Sequence, residues 1–256
     1  MSGPLDVEKL EQEVKNVYED VAQKPDEEFH FETGRDLAER LGYPPETLDR
    51  VPAEAVDSFA GVGHYFDLVD IGDGDDVLDL GSGSGMDVFV AAVHVGETGS
   101  VTGLDMTDEQ LEKARSLRDT AGFDNVSFEH GYIEDMPFAD GSFDVVISNG
   151  VINLSAEKSR VFEETSRVLR RGGRLALADI VSEEQMPASI KTDADLWAAC
   201  IGGAEQVDNY TEMIERTGFE LIELRENSRY EFTSEQAQNA CQSYGVKSAS
   251  LSARKV

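Results

Sequence analysis

Residues 77–85 read Val-Leu-Asp-Leu-Gly-Ser-Gly-Ser-Gly, and about twenty positions later Val-Thr-Gly-Leu-Asp ends at Asp105. Residues 77–80 are a short apolar run broken by one acid, a pattern that predicts a buried central strand. The glycines that follow cannot continue a strand. They let the backbone turn tightly and approach a ligand without side chains in the way. From Met86 the spacing becomes helical, with Val88, Phe89, Ala92, Val93 and Val95 on one apolar face. Strand, glycine loop, helix and a second strand tipped with an acid together hold a nucleotide-type cofactor, Asp105 being placed to accept both ribose hydroxyls.

Several cofactors share such a loop, and three details favour S-adenosylmethionine. Asp79 lies two residues before Gly81, where a carboxylate suits a cationic amino group and would repel a pyrophosphate. The spacing Gly81-x-Gly83-x-Gly85 departs from the G-x-G-x-x-G dinucleotide fingerprint. Two further segments follow in order. Gly131-Tyr132-Ile133-Glu134-Asp135 comes after a third predicted strand at 126–128, where apolar and acidic groups can frame an adenine. A fourth strand at 143–149 delivers Asn149 to the carboxyl end of the sheet, where ligands bind.

The 256 residues suit one large α/β domain with an extension. Residues 1–66 are expected to form an N-terminal helical cap and substrate lid, and residues 67–256 the cofactor-binding domain, with an insertion at 182–208 closing the substrate pocket. In residues 5–22, Leu10, Val14, Val17, Tyr18 and Val21 recur at helical spacing. Such a helix either covers the core or forms a lid with Tyr18 at the cofactor. Short helices are expected over 34–41 and up to Ser58, and Phe59, Tyr65 and Phe66 can wall an acceptor pocket. His64 and His30 are candidates for a general base, Tyr65 a weaker one. Thr107 and Gln110 have the spacing of a capping box for a helix running to about Thr120. A helix at 156–169 is expected to stop at Arg170-Arg171-Gly172-Gly173, with a fifth strand at 174–181. After 182–208, which carries no expected sheet element, come a helix, a strand at 219–225, a helix at 234–244 and a strand at 247–253. The expected fold is Rossmann-like, a seven-stranded, mostly parallel sheet with one antiparallel strand.

Charge bounds the partners. With 52 acids against 22 bases the net charge is −30, spread over a sequence of ordinary hydrophobic content, 40%. This resembles the solvated surface of a protein from a high-salt cytoplasm. No basic patch overcomes that field, so nucleic acid and anionic membranes are not expected partners. No apolar run approaches membrane-spanning length, and the expected location is the cytoplasm. Cys200 and Cys241 form no metal-ligand spacing.

The stretch 77–204 resembles the arsenite S-adenosylmethionine methyltransferases. It does so at Leu78-Asp79-Leu80-Gly81-Ser82-Gly83-Ser84-Gly85, Val101-Thr102-Gly103-Leu104-Asp105-Met106-Thr107, Gly131-Tyr132-Ile133-Glu134-Asp135, Ser148-Asn149-Gly150-Val151-Ile152-Asn153-Leu154-Ser155 and Cys200-Ile201-Gly202-Gly203-Ala204. The resemblance implies a class I methyltransferase fold, with Asp79, Gly81 and Gly83 at the methionyl part of S-adenosylmethionine and Ser82 among the cofactor-binding residues. It likewise implies ribose on Asp105, adenine beside Met106, Ile133 and Glu134, and a further contact at Asn149. The thiols depart from the family's pattern. Of the positions where its cysteines hold the metalloid, the fourth-strand one is Gly150 here, the upstream equivalent is Val62, and only Cys200 remains. Trivalent arsenic is selected by soft sulfur ligands, and one thiol is not a three-thiolate cage. The expected activity is methyl transfer to a small-molecule acceptor, with Cys200 and His64 as candidate catalytic residues. Alternatives are an arsenite or thiol methyltransferase using Cys200, a carbon or oxygen methyltransferase of quinone-like rings, and a non-catalytic S-adenosylmethionine-binding protein. A nicotinamide oxidoreductase is disfavoured by Asp79 and the glycine spacing.

Overall fold

In the computed structural model, which describes residues 7–24, 29, 31–191, 196–197 and 201–256, β1 (Asp76–Leu80) runs through the centre of the sheet. It pairs in parallel with β2 (Ser100–Asp105) on one side and β4 (Phe143–Asn149) on the other. β3 (Val126–His130) extends the sheet beyond β2, and β5 (Leu169–Ser182) extends it beyond β4. β8 (Lys247–Lys255) is then inserted antiparallel between β5 and β7 (Phe219–Glu226). Seven of the sheet's eight strands follow the order β3-β2-β1-β4-β5-β8-β7, with β8 reversed, and the eighth, β6 (Glu205–Gln206), pairs with β5 off this path.

Successive side chains on each strand face opposite sides, and the two cores follow from that alternation. Val77, Val145, Ile147, Ala176 and Ala178 belong to one core with buried residues of α5 (Met86–Val95), α6 (Asp108–Ala121) and the segment 37–69. Leu78, Leu80, Val146, Leu175 and Leu177 pack beneath α7 (Lys158–Val168) and the helix at Val207–Arg216. The parallel strands are buried on both faces, which is why β1 reads as a nearly unbroken apolar run. β8 instead carries Ser248, Ser250 and Ser252, all buried; the first two hydroxyls donate to the carbonyls of Val62 and His64, whereas that of Ser252 has no partner among the described residues.

Ahead of the sheet lie α1 (Val7–Gln23), α2 (Arg35–Leu41), α3 (Pro45–Leu48) and α4 (Ala53–Asp57). The stretch up to Ser58 thus holds two short helices. Val14 and Val21 of α1 are buried. Lys113 of α6 donates to the Ala22 carbonyl and Gln110 to that of Tyr18, so α1 lies along α6.

Three expectations are corrected. Residues 182–208 do contribute to the sheet, since β6 (Glu205–Gln206) pairs in parallel with Val181 and Ser182. Arg170 to Gly173 do not separate α7 from a later strand: α7 passes at Leu169 straight into β5. The Thr107 side chain makes no capping bond to α6; its partner in the expected box, Gln110, is buried and turned toward the glycine loop. No helix among the described residues is long and apolar enough to cross a membrane.

Candidate active site

The carboxyl ends of β1, β2 and β4 open into one cavity of about 140 Å³. Asp79, Gly81, Ser82 and Gly83 line it from β1 and the loop that follows. Asp105 and Met106 enter from the tip of β2, Ile133 and Glu134 from the segment after β3, Asn149 from β4, and Tyr18 from α1. The glycine loop needs its glycines. Gly81 has φ +67°, and a Cβ there would stand 2.3 Å from Val151 Cγ2; Gly83 has φ +53°. Side chains are disfavoured at such angles.

Hydrogen bonds hold the loop from behind. Gly83 N–H donates to Asp105 Oδ2 (2.8 Å) and Thr107 N–H to Asp105 Oδ1 (2.9 Å). Asp105 therefore shapes the loop and keeps an acceptor lone pair on each oxygen for a ligand. Ser84 Oγ donates to Gln110 Oε1, whose amide nitrogen donates to the Tyr18 carbonyl. On the far side, Ser155 Oγ donates to Glu134 Oε1 in a short contact.

Beneath this loop sits an acid that sequence reasoning missed. Asp87, in the first turn of α5, is buried and accepts from Tyr43 Oη (2.6 Å), Tyr65 Oη (2.8 Å) and Asn149 Nδ2 (3.0 Å). Asn149 Oδ1 in turn accepts from the amides of Val62 and Gly63. Asn149 is thus a clamp between β4, α5 and residues 62–63, as well as a lining residue. Burial, and then the charge of Asp87, hold the phenols of Tyr43 and Tyr65 well above their ordinary range. Tyr65 is fully buried and is not among the described residues lining the cavity, so it is no base for a bound acceptor.

Asp79 is the contrasting carboxyl. It is 3% exposed and no hydrogen bond to it is formed among the described residues. Burial raises its pKa well above the usual range, and the charges of Asp87 and Asp105 raise it further. Asp87 and Asp105 are raised too, chiefly by burial. Three carboxyls converging on one cavity, one without a donor, form a site that a cationic ligand relieves. An ammonium beside Asp79 and a diol at Asp105 fit this donor set.

His64 is not among the described residues that line the cavity. Its ring packs edge-on against Tyr43 at 4.7 Å and its Nδ1 lies 3.3 Å from Asp67 Oδ1. Burial lowers its pKa. Among the described residues the ring is thus held by Tyr43 and Asp67 and is not brought to the cavity. Cys200 and His30 lie outside the described residues. Trp197 is buried over Lys158 (5.0 Å) and does not line the cavity, whereas Phe59 does. Cys241 is a half-buried thiol on the last helix, raised in pKa by burial. Val62 and Gly150, two of the positions where the resemblance expects thiols, are neighbours, since a Cβ on Gly150 would stand 3.3 Å from Val62 Cγ1. No group of three metal-ligating side chains occurs among the described residues.

Comparison with known proteins gives the following. Residues 71–218 match the methyltransferase domain family. The arsenite methyltransferase of Halobacterium salinarum is 43% identical over 193 residues, which are 75% of this chain and 49% of that protein. The crystal structure of an arsenic(III) S-adenosylmethionine methyltransferase from Chlamydomonas reinhardtii superposes with a TM-score of 0.65 at 33% identity, covering 86% of this chain and 73% of that one. Geranyl diphosphate methyltransferase in complex with GPP and sinefungin shares the fold, with a TM-score of 0.66 at 15% identity over 96% of this chain and 100% of that one. The chain spans about half the length of the curated relatives it matches.

Proposed function

Because this chain belongs to the class I S-adenosylmethionine-dependent methyltransferases, close to their arsenite methyltransferase family, we propose that it methylates a small, uncharged or cationic organic acceptor. One observation carries the acceptor class: the described lining left once Asp79, Asp105 and Glu134 are given to the cofactor holds no lysine, arginine or histidine, and its one carboxyl, Asp87, is bonded by Tyr43, Tyr65 and Asn149. Such a wall offers a phosphate or carboxylate no counter-charge.

When bound, S-adenosylmethionine supplies a methyl group already activated on a sulfonium. The chain's own part is alignment and exclusion of water. Asp79 would meet the ammonium, Asp105 the ribose, and Met106, Ile133 and Glu134 the adenine. Val14 and Tyr18 of α1 border the cavity, which supports reading residues 1–66 as a lid over it. Ala55, Phe59, Ala60 and Gly61 face Val151 and Leu154 across the rest, an apolar wall suited to the acceptor.

Arsenite as acceptor is the second reading, favoured by the family. Val62 and Gly150 argue against it, because their contact puts a methyl group where a soft ligand would be needed. The deciding experiment is calorimetric titration with S-adenosylmethionine and S-adenosylhomocysteine, followed by arsenite. Cofactor binding with no arsenite response is expected. Absence of cofactor binding would overturn the activity, and a clear arsenite response would overturn the acceptor class. Turnover of trideuteromethyl-labelled cofactor with neutral, cationic and anionic acceptor panels should then place the label in the first two only.

The charge of −30 supports a high-salt working environment. Screening of that self-repulsion should raise the melting temperature between about 0.1 M and molar potassium chloride, and a melting temperature indifferent to salt would remove that reading.

A further inference from the structure

At the opposite end of the sheet from the cavity, a cleft of about 320 Å³ is lined by Arg170, Arg171, Arg174 and Arg254, with Asp144 and two glycines. Its position follows from the ladder. Leu169 pairs with Phe143 and Arg174 with Val145, so residues 170–173 stand out of the sheet as an Arg-Arg-Gly-Gly loop. Gly172 turns it with φ +79°. A Cβ on Gly172 would stand 3.8 Å from Arg254 Nη2, so that guanidinium reaches the turn from β8.

The charge arrangement is unfavourable as it stands. Arg174 and Arg254 are directly opposite in the antiparallel β5–β8 register, a placement that destabilises like charges. Two of the four arginines are answered: Arg170 by Asp76 and Asp144, and Arg174 by Asp75. Arg171 and Arg254 have no hydrogen-bond or ion-pair partner among the described residues. Glu220 faces Arg254 from β7 in register, yet no ion pair forms between them. In a chain with 52 acids for 22 bases, the two guanidiniums are not unpaired for want of carboxylates.

We propose that this cleft binds a small tetrahedral oxyanion, free or carried as the phosphate group of a small molecule, held between Arg171 and Arg254 and bordered by Arg174. The planar guanidinium fork matches the edge of a phosphate or sulfate through paired N–H···O bonds. An anion at Arg254 also offsets what remains of the cross-strand repulsion with Arg174. Asp144 is turned into Arg170 and leaves the cleft's other guanidiniums to the ligand.

The test is titration of the full chain with inorganic phosphate, by calorimetry at constant ionic strength in potassium chloride. Saturable binding of one phosphate per chain is expected. Arg171→Gln and Arg254→Gln should each weaken it at least fivefold and together abolish it, while S-adenosylhomocysteine affinity stays within twofold of the parent. Arg171→Lys and Arg254→Lys, which keep charge but lose the fork, should weaken it less and keep the variant series interpretable if a glutamine variant folds poorly. Ribose 5-phosphate in competition separates the sources: tenfold tighter binding assigns the site to a phosphate ester, and equal binding to the free ion. Heats that never saturate, or that persist in the double variant, would overturn the proposal. So would a double variant whose only change is a smaller oligomer in sedimentation, which would assign the arginines to another copy's carboxylates.

Discussion

The two halves of the cavity are built differently. The half proposed for the cofactor consists of short contiguous pieces, 79–85, 105–107 and 131–134, each at the end of one strand. The half proposed for the acceptor brings residues 55–61 against residues 149–156, segments about ninety positions apart. What joins them is a single buried carboxylate, Asp87, reached by Tyr43, Tyr65 and Asn149. Local sequence can specify the first kind of wall. The second exists only once the chain has folded.

If that division holds, damage to the cofactor half should be large and specific. Gly81→Ala combines a left-handed φ with a Cβ at 2.3 Å from Val151. It should cost about 3 kcal/mol of stability, from backbone strain and overpacking, and abolish detectable S-adenosylhomocysteine binding; an unchanged melt would mean that the loop is not held as described.

Next to the 149–156 segment, outside the cavity lining, Asp179 accepts from the Asn153 amide and from Tyr210 Oη. Burial raises its pKa to about 6, against which those bonds act. A carboxyl raised in the folded state holds its proton there while the unfolded chain has lost it, so stability falls as pH rises from about 4 to about 6. The contribution is about 3 kcal/mol at most. Asp179→Asn should flatten that part of the stability profile, measured as the difference from the parent by urea unfolding across the interval. A parallel pair of profiles would break the assignment.

Asp105→Ala should weaken cofactor binding by about 1.5–3 kcal/mol, the range for hydrogen bonds to a charged group. Calorimetry that finds the parent affinity would take Asp105 out of the ribose site. The smallest effect belongs to Val62→Cys, a small trim of a buried side chain that packs against Gly150 behind the cavity wall, expected to cost less than about 1.5 kcal/mol. It should leave S-adenosylhomocysteine affinity within twofold. A changed cofactor affinity would show the two halves to be coupled, and an arsenite response gained only in this variant would place Cys200 beside residue 62.

The same division explains what the sequence made legible. The central strand, the glycine loop and the acid at Asp105 are visible because each depends on its immediate neighbours, and the reversed β8 follows from two closing strands with a helix between them. Gln110 was misassigned for a physical reason: its spacing from Thr107 suits a cap, but its amide finds buried partners in Ser84 and Tyr18 that no local pattern shows. Tyr43 carries no local signal of its role, and only the fold brings its hydroxyl to Asp87. His64 looked like a base because histidine titrates near neutrality; the direction of its ring is set by Tyr43 and Asp67. Arg170 to Gly173 have the composition of a turn and form one, but as an excursion within β5. β6 is two residues long, too short for any periodicity.

Residues 61–65 belong to no helix or strand, yet their backbone is bound on every side. The amides of Val62 and Gly63 donate to Asn149, and the carbonyls of Val62 and His64 accept from Ser248 and Ser250 of β8. Amide deuteration should therefore divide this coil from ordinary surface loops. Its Val62 and Gly63 protons should exchange only on the slow timescale of global opening, making an irregular strip as long-lived as the sheet that it caps.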